Sequence, residues 1–332
     1  MKDSTEHHEG QIHHQGQASS SNLPAEFVER LRLIVSPNAF TPVLESFGQP
    51  RVVGLRVNTL KASVAEVLSV LSLVGLKPNL VSWSPTAFWV PGHQRELATH
   101  SPLVSDGKLY IQSLSSQLAP VLLDPQPNES ILDLAAAPGG KTTHLAALME
   151  NRGTLAAVEP IRDRFFRLRA TLDRLGVTNC KTYMKDGRTV GKKTGPRFDR
   201  VLLDAPCTAE SRMRTDQVET MHYWSRRKIR ESSRKQRGLI ESAFTGLKPG
   251  GRLLYCTCTF APEENEQIVA DLLGKFPDTA ELESLRLPIP NVQPGLTMFG
   301  DTQYPEVLAR TVRILPNEIM DSFYLAMIRK TA

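Results

Sequence analysis

From Ser130 onwards, apolar runs alternate with segments whose apolar residues recur at helical spacing. The first run, Ile131 to Ala137, is hydrophobic throughout, as a parallel strand buried on both faces must be. Residues 142–149 then show the spacing of a helix. Further strands are predicted at residues 154–158, 181–184, 198–204, 252–259, 312–315 and 323–328. Regular alternation of strands and helices indicates a parallel sheet covered on both faces, so the pattern predicts an α/β fold.

The N-terminal part of the chain has a different pattern. Phe27, Leu31 and Ile34 share one helical face, and residues 52–58 have the character of a strand. Residues 63–66 form a capping-box pattern before an apolar helical stripe. We predict a small α+β domain over residues 23–115. Residues 1–22 are polar and lack aromatic side chains, so they cannot offset the entropy of ordering. We expect a disordered tail there, with no metal bound to its histidines.

Composition limits the class of protein. The 332 residues carry a formal net charge of +5, which favours a polyanionic partner without requiring one. No apolar run approaches the ~20 residues of a membrane-spanning helix, so we expect no membrane contact. The four cysteines are too few and too irregularly spaced for a disulfide framework. We therefore expect a reduced, cytoplasmic protein, and we expect it to be a monomer.

A glycine-containing turn separates the first strand from its helix. Pro138-Gly139-Gly140 removes side-chain bulk where a backbone must come close to another group. A strand, a small-residue turn and a helix N-terminus together make a site for the polar part of a nucleotide-like ligand. Two phosphate motifs fail here. The first glycine of a P-loop falls on Ala135, and a dinucleotide fingerprint meets residues 136–138 instead of glycines. An ordinary strand-to-helix turn and a P-loop nucleotidase remain as alternatives.

Acidic residues follow the carboxyl ends of successive predicted strands. Glu159 lies about twenty residues after the glycine turn, where an acid can accept hydrogen bonds from both ribose hydroxyls of an adenosine ligand. Asp186 follows the next strand, and Asp204 ends the one after it. Open α/β sheets bind ligands outside these strand ends. A single acid there is more often a helix cap, but two beside a glycine turn favour a ligand site.

Two cysteines are predicted to meet at the same edge of the sheet. Cys207 follows the fourth strand, and Cys258 lies at the end of the fifth. A zinc site would need four ligands, and no histidine is close in sequence to either loop. The better interpretation is covalent chemistry by a thiolate, which the site has to favour because free cysteine has a pKa of ~8.5. Cys256 points to the same side as Cys258 if the strand stays regular.

Three blocks of the sequence resemble the signature motifs of one family, the Sun-type (Fmu/Nop/Sun, RsmB-like) S-adenosylmethionine-dependent RNA cytosine-C5 methyltransferases. The blocks are Asp133 to Thr142, Asp204 to Cys207 and Thr257 to Thr259, and the resemblance extends over residues 25–330. It implies a class I, Rossmann-like methyltransferase domain with a seven-stranded, mostly parallel sheet in residues 116–332. It also implies that the small N-terminal domain contacts RNA, although a solvated surface explains the scattered basic residues of that domain equally well.

The resemblance implies a site for S-adenosylmethionine at the glycine turn. The methionine end would be held by Ala135, Ala136, Ala137, Pro138, Gly139, Gly140 and Lys141. Glu159 would hold the ribose hydroxyls, and Asp186 would contact the adenine side. Asp204 would line the pocket between the cofactor and the base.

The resemblance also implies a division of labour between the cysteines. Cys258 would be the nucleophile that attacks the base, and Cys207 would assist release of the product. Cys256 departs from the family pattern, because the family more often has serine at this position. The register of the motif favours Cys258 over Cys256 as the nucleophile.

A basic segment precedes the fifth strand. Residues 226–237 hold seven arginine or lysine residues and one acid, Glu231. As a helix, this segment would suit a phosphate backbone, and a solvated surface helix is the alternative. Trp224, just before it, would either stack on a base or anchor the helix in the core.

We therefore predict an enzyme that transfers a methyl group from S-adenosylmethionine to carbon 5 of cytosine in RNA through a covalent Cys258–cytosine bond. Ribosomal RNA is the favoured substrate, and transfer RNA is the second choice. Two alternatives belong to other classes. A DNA cytosine-C5 methyltransferase would use Cys207 as its nucleophile. A non-catalytic RNA-binding or ribosome-assembly factor would retain only the fold.

Overall fold

The computed structural model describes residues 22–332. The histidine pairs of the predicted N-terminal tail therefore lie outside the described residues. A four-stranded antiparallel sheet occupies the N-terminal part, and a nine-stranded sheet occupies the C-terminal part. None of the helices in this range has the length and apolar character needed to cross a membrane.

The N-terminal part is an α+β unit, as predicted. Its elements are α1 (Ala25–Ile34), α2 (Pro37–Ser46), β1 (Val53–Val57), α3 (Val64–Leu73), β2 (Asn79–Val81), β3 (Ser84–Val90), α4 (Arg95–Thr99), α5 (Pro102–Ser105) and β4 (Leu109–Ile111). The side chain of Ser63 caps α3 by accepting a hydrogen bond from the backbone N–H of Glu66 (3.2 Å). The sheet has the order β2-β3-β1-β4. Helices α1 and α2 do not cover it; Phe27 packs instead with Met213 and Phe260 of the C-terminal part.

The C-terminal part alternates strands and helices. Its elements are α6 (Leu114–Leu123), β5 (Ser130–Asp133), α7 (Gly140–Leu148), β6 (Thr154–Val158), α8 (Arg162–Arg174), β7 (Cys180–Tyr183), α9 (Val190–Thr194), β8 (Phe198–Asp204), α10 (Arg226–Gly246), β9 (Leu247–Thr257), α11 (Glu266–Lys275), β10 (Ala280–Glu283), β11 (Val292–Pro294), β12 (Met298–Phe299), β13 (Thr302–Gln303), β14 (Val312–Ile314) and β15 (Phe323–Lys330). The predicted domain boundary between residues 115 and 116 lies inside α6, and this division stays a prediction.

The large sheet has the order β11-β14-β15-β9-β8-β5-β6-β7, and β10 pairs with β15. Strands β5 to β9 run parallel, whereas β15 is antiparallel to both β9 and β14. The predicted class, an α/β fold with a mostly parallel sheet, is confirmed. The sheet has nine strands rather than the predicted seven, because β10 and β11 add to its C-terminal strands. They contain four and three residues, among them two glutamates and a proline, which are depleted in strands.

Helices cover both faces of the large sheet. Along β9, Leu253 and Tyr255 pack on the side of α10 and α11, whereas Leu254 and Cys256 pack on the side of α6 and α7. This alternation is the period of two that a strand imposes on its side chains. It places the Cys256 side chain in the core between the sheet and α6.

Arg56 joins the two parts of the molecule. Its buried guanidinium donates hydrogen bonds to Gln112 Oε1 (3.0 Å) and to Thr143 Oγ1 in the first turn of α7 (2.8 Å). Asn58 donates to the carbonyls of Gly107 (2.7 Å) and Leu175 (2.8 Å). Burial lowers the pKa of Arg56 to about 10, because a charge is costly away from water unless it is hydrogen-bonded. The small sheet is thus held against the helix that follows the glycine turn.

Candidate active site

A cavity of about 480 Å³ opens at the carboxyl ends of β5 and β8, a volume typical of ligand sites. One wall consists of the predicted turn residues Ala135, Ala136, Ala137, Pro138, Gly140 and Lys141. Asp204 and Cys258 also line the cavity. The opposite wall comes from the N-terminal part, including Gly54, Tyr110 and Gln112. Both parts of the chain are therefore needed to enclose it.

Glycine is required at the two positions of the turn for two different physical reasons. Gly139 precedes α7 with φ at +107°, a backbone conformation that favours glycine. A Cβ on Gly140 would lie 2.9 Å from Cε1 of Tyr110, closer than packed carbon atoms approach. The turn is therefore tightly covered by a side chain from the N-terminal part, a contact that the sequence did not reveal.

Asp133 is a buried acid at the end of β5. Its Oδ2 accepts a hydrogen bond from Thr142 Oγ1 (2.7 Å). Its Oδ1 has no hydrogen-bond partner within residues 22–332, although Asp133 lines the cavity. Burial raises the pKa of Asp133 to about 7. A buried acceptor without a partner is rare in folded proteins, so this oxygen is suited to a donor group on a ligand.

Asp204 is held at both carboxylate oxygens. Lys141 Nζ lies 2.7 Å from Oδ2, and the Cys256 thiol donates to Oδ1 (3.7 Å). Lys141 also donates to Ser116 Oγ (2.7 Å). Burial lowers the pKa of Lys141, but the charge and hydrogen bond of Asp204, together with the nearby cysteine sulfurs, outweigh it and raise the pKa overall. The ion pair therefore fixes the position of Asp204 on the cavity wall.

The sulfur atoms of Cys207 and Cys258 are 3.5 Å apart. The hydrogen bond from Cys207 lowers the pKa of Cys258, and the positive charge of Arg212 contributes in the same direction. The same hydrogen bond, together with burial, raises the pKa of Cys207 well above its ordinary range. Cys258 therefore ionises more readily than Cys207, and of these two sulfurs only that of Cys258 belongs to a residue lining the cavity. Both observations agree with the motif, which implies Cys258 as the nucleophile.

Cys256 is excluded as a competing nucleophile. Strand β9 ends at Thr257, so Cys258 lies beyond the regular strand, on the cavity wall. Cys256 is fully buried in the core beside α6 and α7. Burial and the nearby charge of Asp204 raise the pKa of Cys256 well above its ordinary range, and its thiol stays protonated.

Glu159 and Asp186 lie at strand ends as predicted, but outside the cavity lining described above. Glu159 is buried, accepts a hydrogen bond from the backbone N–H of Ile161 (3.0 Å) and lies 3.7 Å from Arg164. Arg164 also donates to the carbonyl of Ala137 (2.9 Å), which connects Glu159 to the glycine turn. Asp186 is partly exposed and pairs with Arg188 at 2.6 Å. Their roles toward a cofactor stay predictions.

The basic segment forms the first half of α10. The apolar residues of the second half of this helix pack on the sheet. Glu231 pairs with the first two basic side chains that follow Arg226. The exposed residues Arg230, Arg234 and Lys235 have no ion pair in the part of the chain that the structure describes. Trp224 donates to Glu210 Oε1 (2.7 Å) and packs edge-on against Phe27, which favours an anchoring role.

Sequence reasoning assigned no site role to several residues around the cavity. Asp133 could have been found, because it opens the same block as the glycine turn and ends a strand. Tyr110 and Arg212 reach the cavity only through the fold, and no local pattern marks them. The same holds for Glu264, which is buried behind the Cys207 loop.

Comparison with known families separates the chain into two matched regions. Residues 120–329 match the family model described as 16S rRNA methyltransferase RsmB/F. Residues 23–114 match the model for the N-terminal domain of 16S rRNA methyltransferase RsmF.

Individual relatives agree with these models. The ribosomal RNA small subunit methyltransferase F of Pectobacterium carotovorum is 36% identical over 319 residues, covering 94% of this chain and 63% of that protein. The chain thus spans less than two thirds of the length of this relative. The tRNA (cytosine(49)-C(5))-methyltransferase of Pyrococcus abyssi is 39% identical over 281 residues, covering 83% of this chain and 87% of that protein.

A solved structure extends the comparison to the fold. The crystal structure of a methyltransferase homologue from Pyrococcus horikoshii has a TM-score of 0.80 and 33% identity, covering 93% of this chain and 95% of that one. The cysteine pair, the glycine turn, the fold and the two matched regions agree with the Sun-type resemblance. The chain belongs to the 16S rRNA methyltransferase RsmB/F family.

Proposed function

We propose that this protein transfers a methyl group from S-adenosylmethionine to carbon 5 of cytosine in RNA. The observation that carries the proposal is Cys258 on the wall of a cavity that Asp204 and the glycine turn also line, with the sulfur of Cys207 3.5 Å from its own. Family membership supports methyl transfer, and the names of the relatives support RNA as the substrate. The DNA methyltransferase alternative finds no support, because the matching family models and the relatives are named for RNA.

The cavity residues fit S-adenosylmethionine. The unpartnered Oδ1 of Asp133 is suited to the cationic methionine end, and the turn from Ala135 to Lys141 offers a close backbone surface. Glu159 would hold the ribose hydroxyls, and Asp186 would lie on the adenine side. When bound, the cofactor supplies a methyl group activated on a sulfonium. The chain itself has to orient that group beside the base and exclude water from it.

Cys258 begins the reaction by forming a bond from its sulfur to carbon 6 of the cytosine. The ring electrons displaced by this bond make carbon 5 nucleophilic, so that it can accept the methyl group. Asp204 stabilises the activated base through the amino edge or the ring nitrogen. Lys141 holds Asp204 in place at 2.7 Å. A fixed charge of this kind costs no reorganisation during the reaction.

Cys207 acts in the second half of the reaction. Bonding of Cys258 to carbon removes the charged acceptor that raises the pKa of Cys207. Cys207 then releases its own proton to water more readily, and the thiolate so formed can accept the proton from carbon 5. The electrons of that C–H bond restore the double bond between carbons 5 and 6, and the carbon–sulfur bond breaks back to Cys258.

The exposed basic face of α10 is proposed to contact the RNA backbone. Arg230, Arg234 and Lys235 are available for phosphates, whose contacts dominate nucleic-acid affinity. The target cytosine must be unpaired or turned out of its stack to reach Cys258. Ribosomal RNA is the favoured substrate because the matching family models and the Pectobacterium relative are named for it. Transfer RNA is the second choice, in view of the Pyrococcus relative. The cytoplasmic location and the monomeric state stay predictions.

Tritiated methyl transfer to transcribed 16S ribosomal RNA and to transfer RNA tests the proposal. Cys258→Ala should abolish transfer, whereas Cys207→Ala should accumulate a protein–RNA adduct that survives denaturing gels. Cys180→Ala, on β7 away from the cysteine pair, is the matched control and should behave as wild type. An adduct trapped by Cys258→Ala would instead make Cys207 the nucleophile. A wild-type protein that binds RNA without transferring methyl groups would leave only the binding-factor alternative.

A further inference from the structure

A buried polar network lies behind the cysteine pair, and no step proposed above uses it. Glu264 is fully buried, and its Oε2 accepts hydrogen bonds from the backbone N–H of Thr208 (3.0 Å) and from Gln236 Nε2 (2.9 Å). The same amide nitrogen of Gln236 donates to the carbonyl of Pro206 (3.0 Å). Both anchored backbone groups are neighbours of Cys207 in the chain, one on each side.

A second buried carboxyl group, that of Glu210, belongs to the same network. Glu210 accepts four hydrogen bonds: from Trp224 Nε1 (2.7 Å), Thr259 Oγ1 (2.8 Å), and the backbone N–H groups of Phe260 (2.8 Å) and Ala261 (3.0 Å). A carboxylate that only accepts requires the Thr259 hydroxyl to donate to it.

Two threonine hydroxyl groups continue the network from Glu210 to Glu264. Thr259 Oγ1 lies 2.9 Å from Thr208 Oγ1, and Thr208 Oγ1 in turn donates to Glu264 Oε1. Two hydroxyl groups thus link Glu210 to Glu264. Burial raises the pKa of Glu264 to about 8.

We propose that Gln236 and Glu264 are positioning residues that hold the Cys207 thiol against Cys258 for the release step. This inference rests on the proposed function. Gln236 fixes the peptide before Cys207, and Glu264 fixes the peptide after it. Thr208 and Thr259 connect the Cys207 loop to the Cys258 loop. Without these anchors, Cys207 loses its alignment for the proton on carbon 5, while Cys258 keeps its place at the end of β9.

The test separates the two halves of the reaction with in vitro transcribed 16S ribosomal RNA. Gln236→Leu has a similar size and removes both amide donors. We expect steady-state turnover to fall about tenfold, in line with two lost buried hydrogen bonds. The first-turnover methyl transfer should stay within about twofold of wild type, and a covalent protein–RNA adduct should accumulate. Equal loss in both phases without an adduct, or no loss at all, would overturn the proposal.

Glu264 provides an independent pair of variants. Glu264→Gln keeps an acceptor for Thr208 and Gln236 and a donor for the Thr208 hydroxyl, so release should stay within about twofold of wild type. Glu264→Ala should accumulate the adduct. If both variants release product normally, Glu264 does not position Cys207. This pair remains informative even if Gln236→Leu fails to fold.

Two controls make the outcomes distinguishable. Ser233→Ala changes a buried residue one turn earlier on α10, whose hydroxyl bonds only to the carbonyl of Arg230 in its own helix (3.2 Å). It should accumulate no adduct. An adduct with this variant would mean that destabilising α10 is enough to block release, without any specific role for Gln236. Cys207→Ala is measured in parallel. If it traps no adduct, the proposed release role of Cys207 fails; if it does and Gln236→Leu does not, only the network inference fails.

Discussion

The carboxyl edge of the large sheet has two ends that are built differently. At one end, called here the cysteine end, Asp204, Cys207, Cys258 and Glu264 are bonded to one another or to neighbouring loops. At the other, called the carboxylate end, Glu159 and Asp186 follow β6 and β7. Glu159 bonds to the backbone and to Arg164, and Asp186 pairs with an arginine two residues away in the chain.

The difference teaches how one sheet edge serves two tasks. At the cysteine end, burial is the largest cause of the shift in the pKa of Glu264, which is raised to about 8. Hydrogen bonding to Arg188 dominates at Asp186 and lowers its pKa. A site that changes charge during a reaction benefits from excluded water and fixed dipoles. A site that only recognises hydroxyl groups needs ready acceptors, and partial exposure does not harm it.

The largest expected effect is a fall in the rate of methyl transfer, and it should be much larger for a change at the cysteine end than for one at the carboxylate end. Asp204→Asn removes the charge that is proposed to stabilise the activated base and leaves Lys141 buried without its counterion. We expect the single-turnover methyl-transfer rate to fall by about 10²- to 10³-fold, the usual cost of losing a charge-stabilising group. Lys141→Met in the same background should add little, because the two residues act as one unit. A loss no larger than that of Asp186→Asn would contradict the distinction between the ends.

A second effect concerns stability against pH. The folded pKa of Glu264 is raised to about 8, so the unfolded chain releases this proton first as pH rises. Stability is therefore full below the ordinary glutamate pKa of about 4.3 and is lost as pH rises to about 8. Glu264→Gln has no such loss. Its free energy of unfolding relative to wild type should increase by a few kcal/mol over this window, since one pKa unit is about 1.4 kcal/mol.

At the carboxylate end, the free energy of unfolding should depend on pH in the opposite direction. The pKa of Asp186 is lowered, so its contribution is present above the ordinary aspartate pKa and is lost as pH falls through the folded value. Denaturant unfolding of Glu264→Gln and Asp186→Asn from about pH 2 to about pH 9 checks both signs, because the Asp186 loss lies below the ordinary aspartate pKa of about 3.9. A Glu264→Gln difference that stays constant over this range would show that Glu264 is ionised in the folded protein.

The sequence predicted the parts of the site that lie at strand ends. The alternation of strands and helices predicts a parallel sheet, and the carboxyl ends of parallel strands bring Glu159, Asp204 and Cys258 to one edge. The residues it missed come from other elements. Tyr110 covers Gly140 from the N-terminal sheet, and Gln236 reaches Pro206 from α10. Such contacts depend on how helices and sheets pack in three dimensions, which no local period encodes.

The number of strands shows the same limit. Strands β10 and β11 gain their hydrogen bonds from β15 and β14, and their own few residues include glutamate and proline, which are depleted in strands. The sequence predicted that Cys207 and Cys258 lie close together at one edge of the sheet. It did not predict the opposite pKa shifts of the two thiols, because they depend on the contact between the sulfurs, on burial and on Arg212.

A third effect tests the carboxylate end directly. Glu159→Gln keeps one acceptor for the backbone N–H of Ile161 but loses the charge offered to the ribose hydroxyls. We expect the KM for S-adenosylmethionine to rise by about ten- to a hundredfold, as for a lost charged hydrogen bond. The rate at saturating cofactor should change by less than about threefold. Asp186→Asn, which is half exposed, is the comparison and should raise KM by less than about fivefold. A fall in rate without a change in KM would place Glu159 in the chemistry instead.

The smallest expected effect concerns the charge beside the nucleophile. Besides the hydrogen bond from Cys207, Arg212 lowers the pKa of Cys258. Arg212→Gln should therefore raise that pKa and reduce the thiolate fraction at pH 7. Arg212 is exposed, so screening limits the loss of alkylation rate with iodoacetamide to a factor of about two to five. Arg188→Gln, an exposed arginine at the carboxylate end, is the matched control and should leave the rate unchanged. The Arg212 effect should also shrink in high salt, whereas the contribution of Cys207 should persist; equal sensitivity of both to salt would mean that Arg212 acts by shaping the loop and not by its charge.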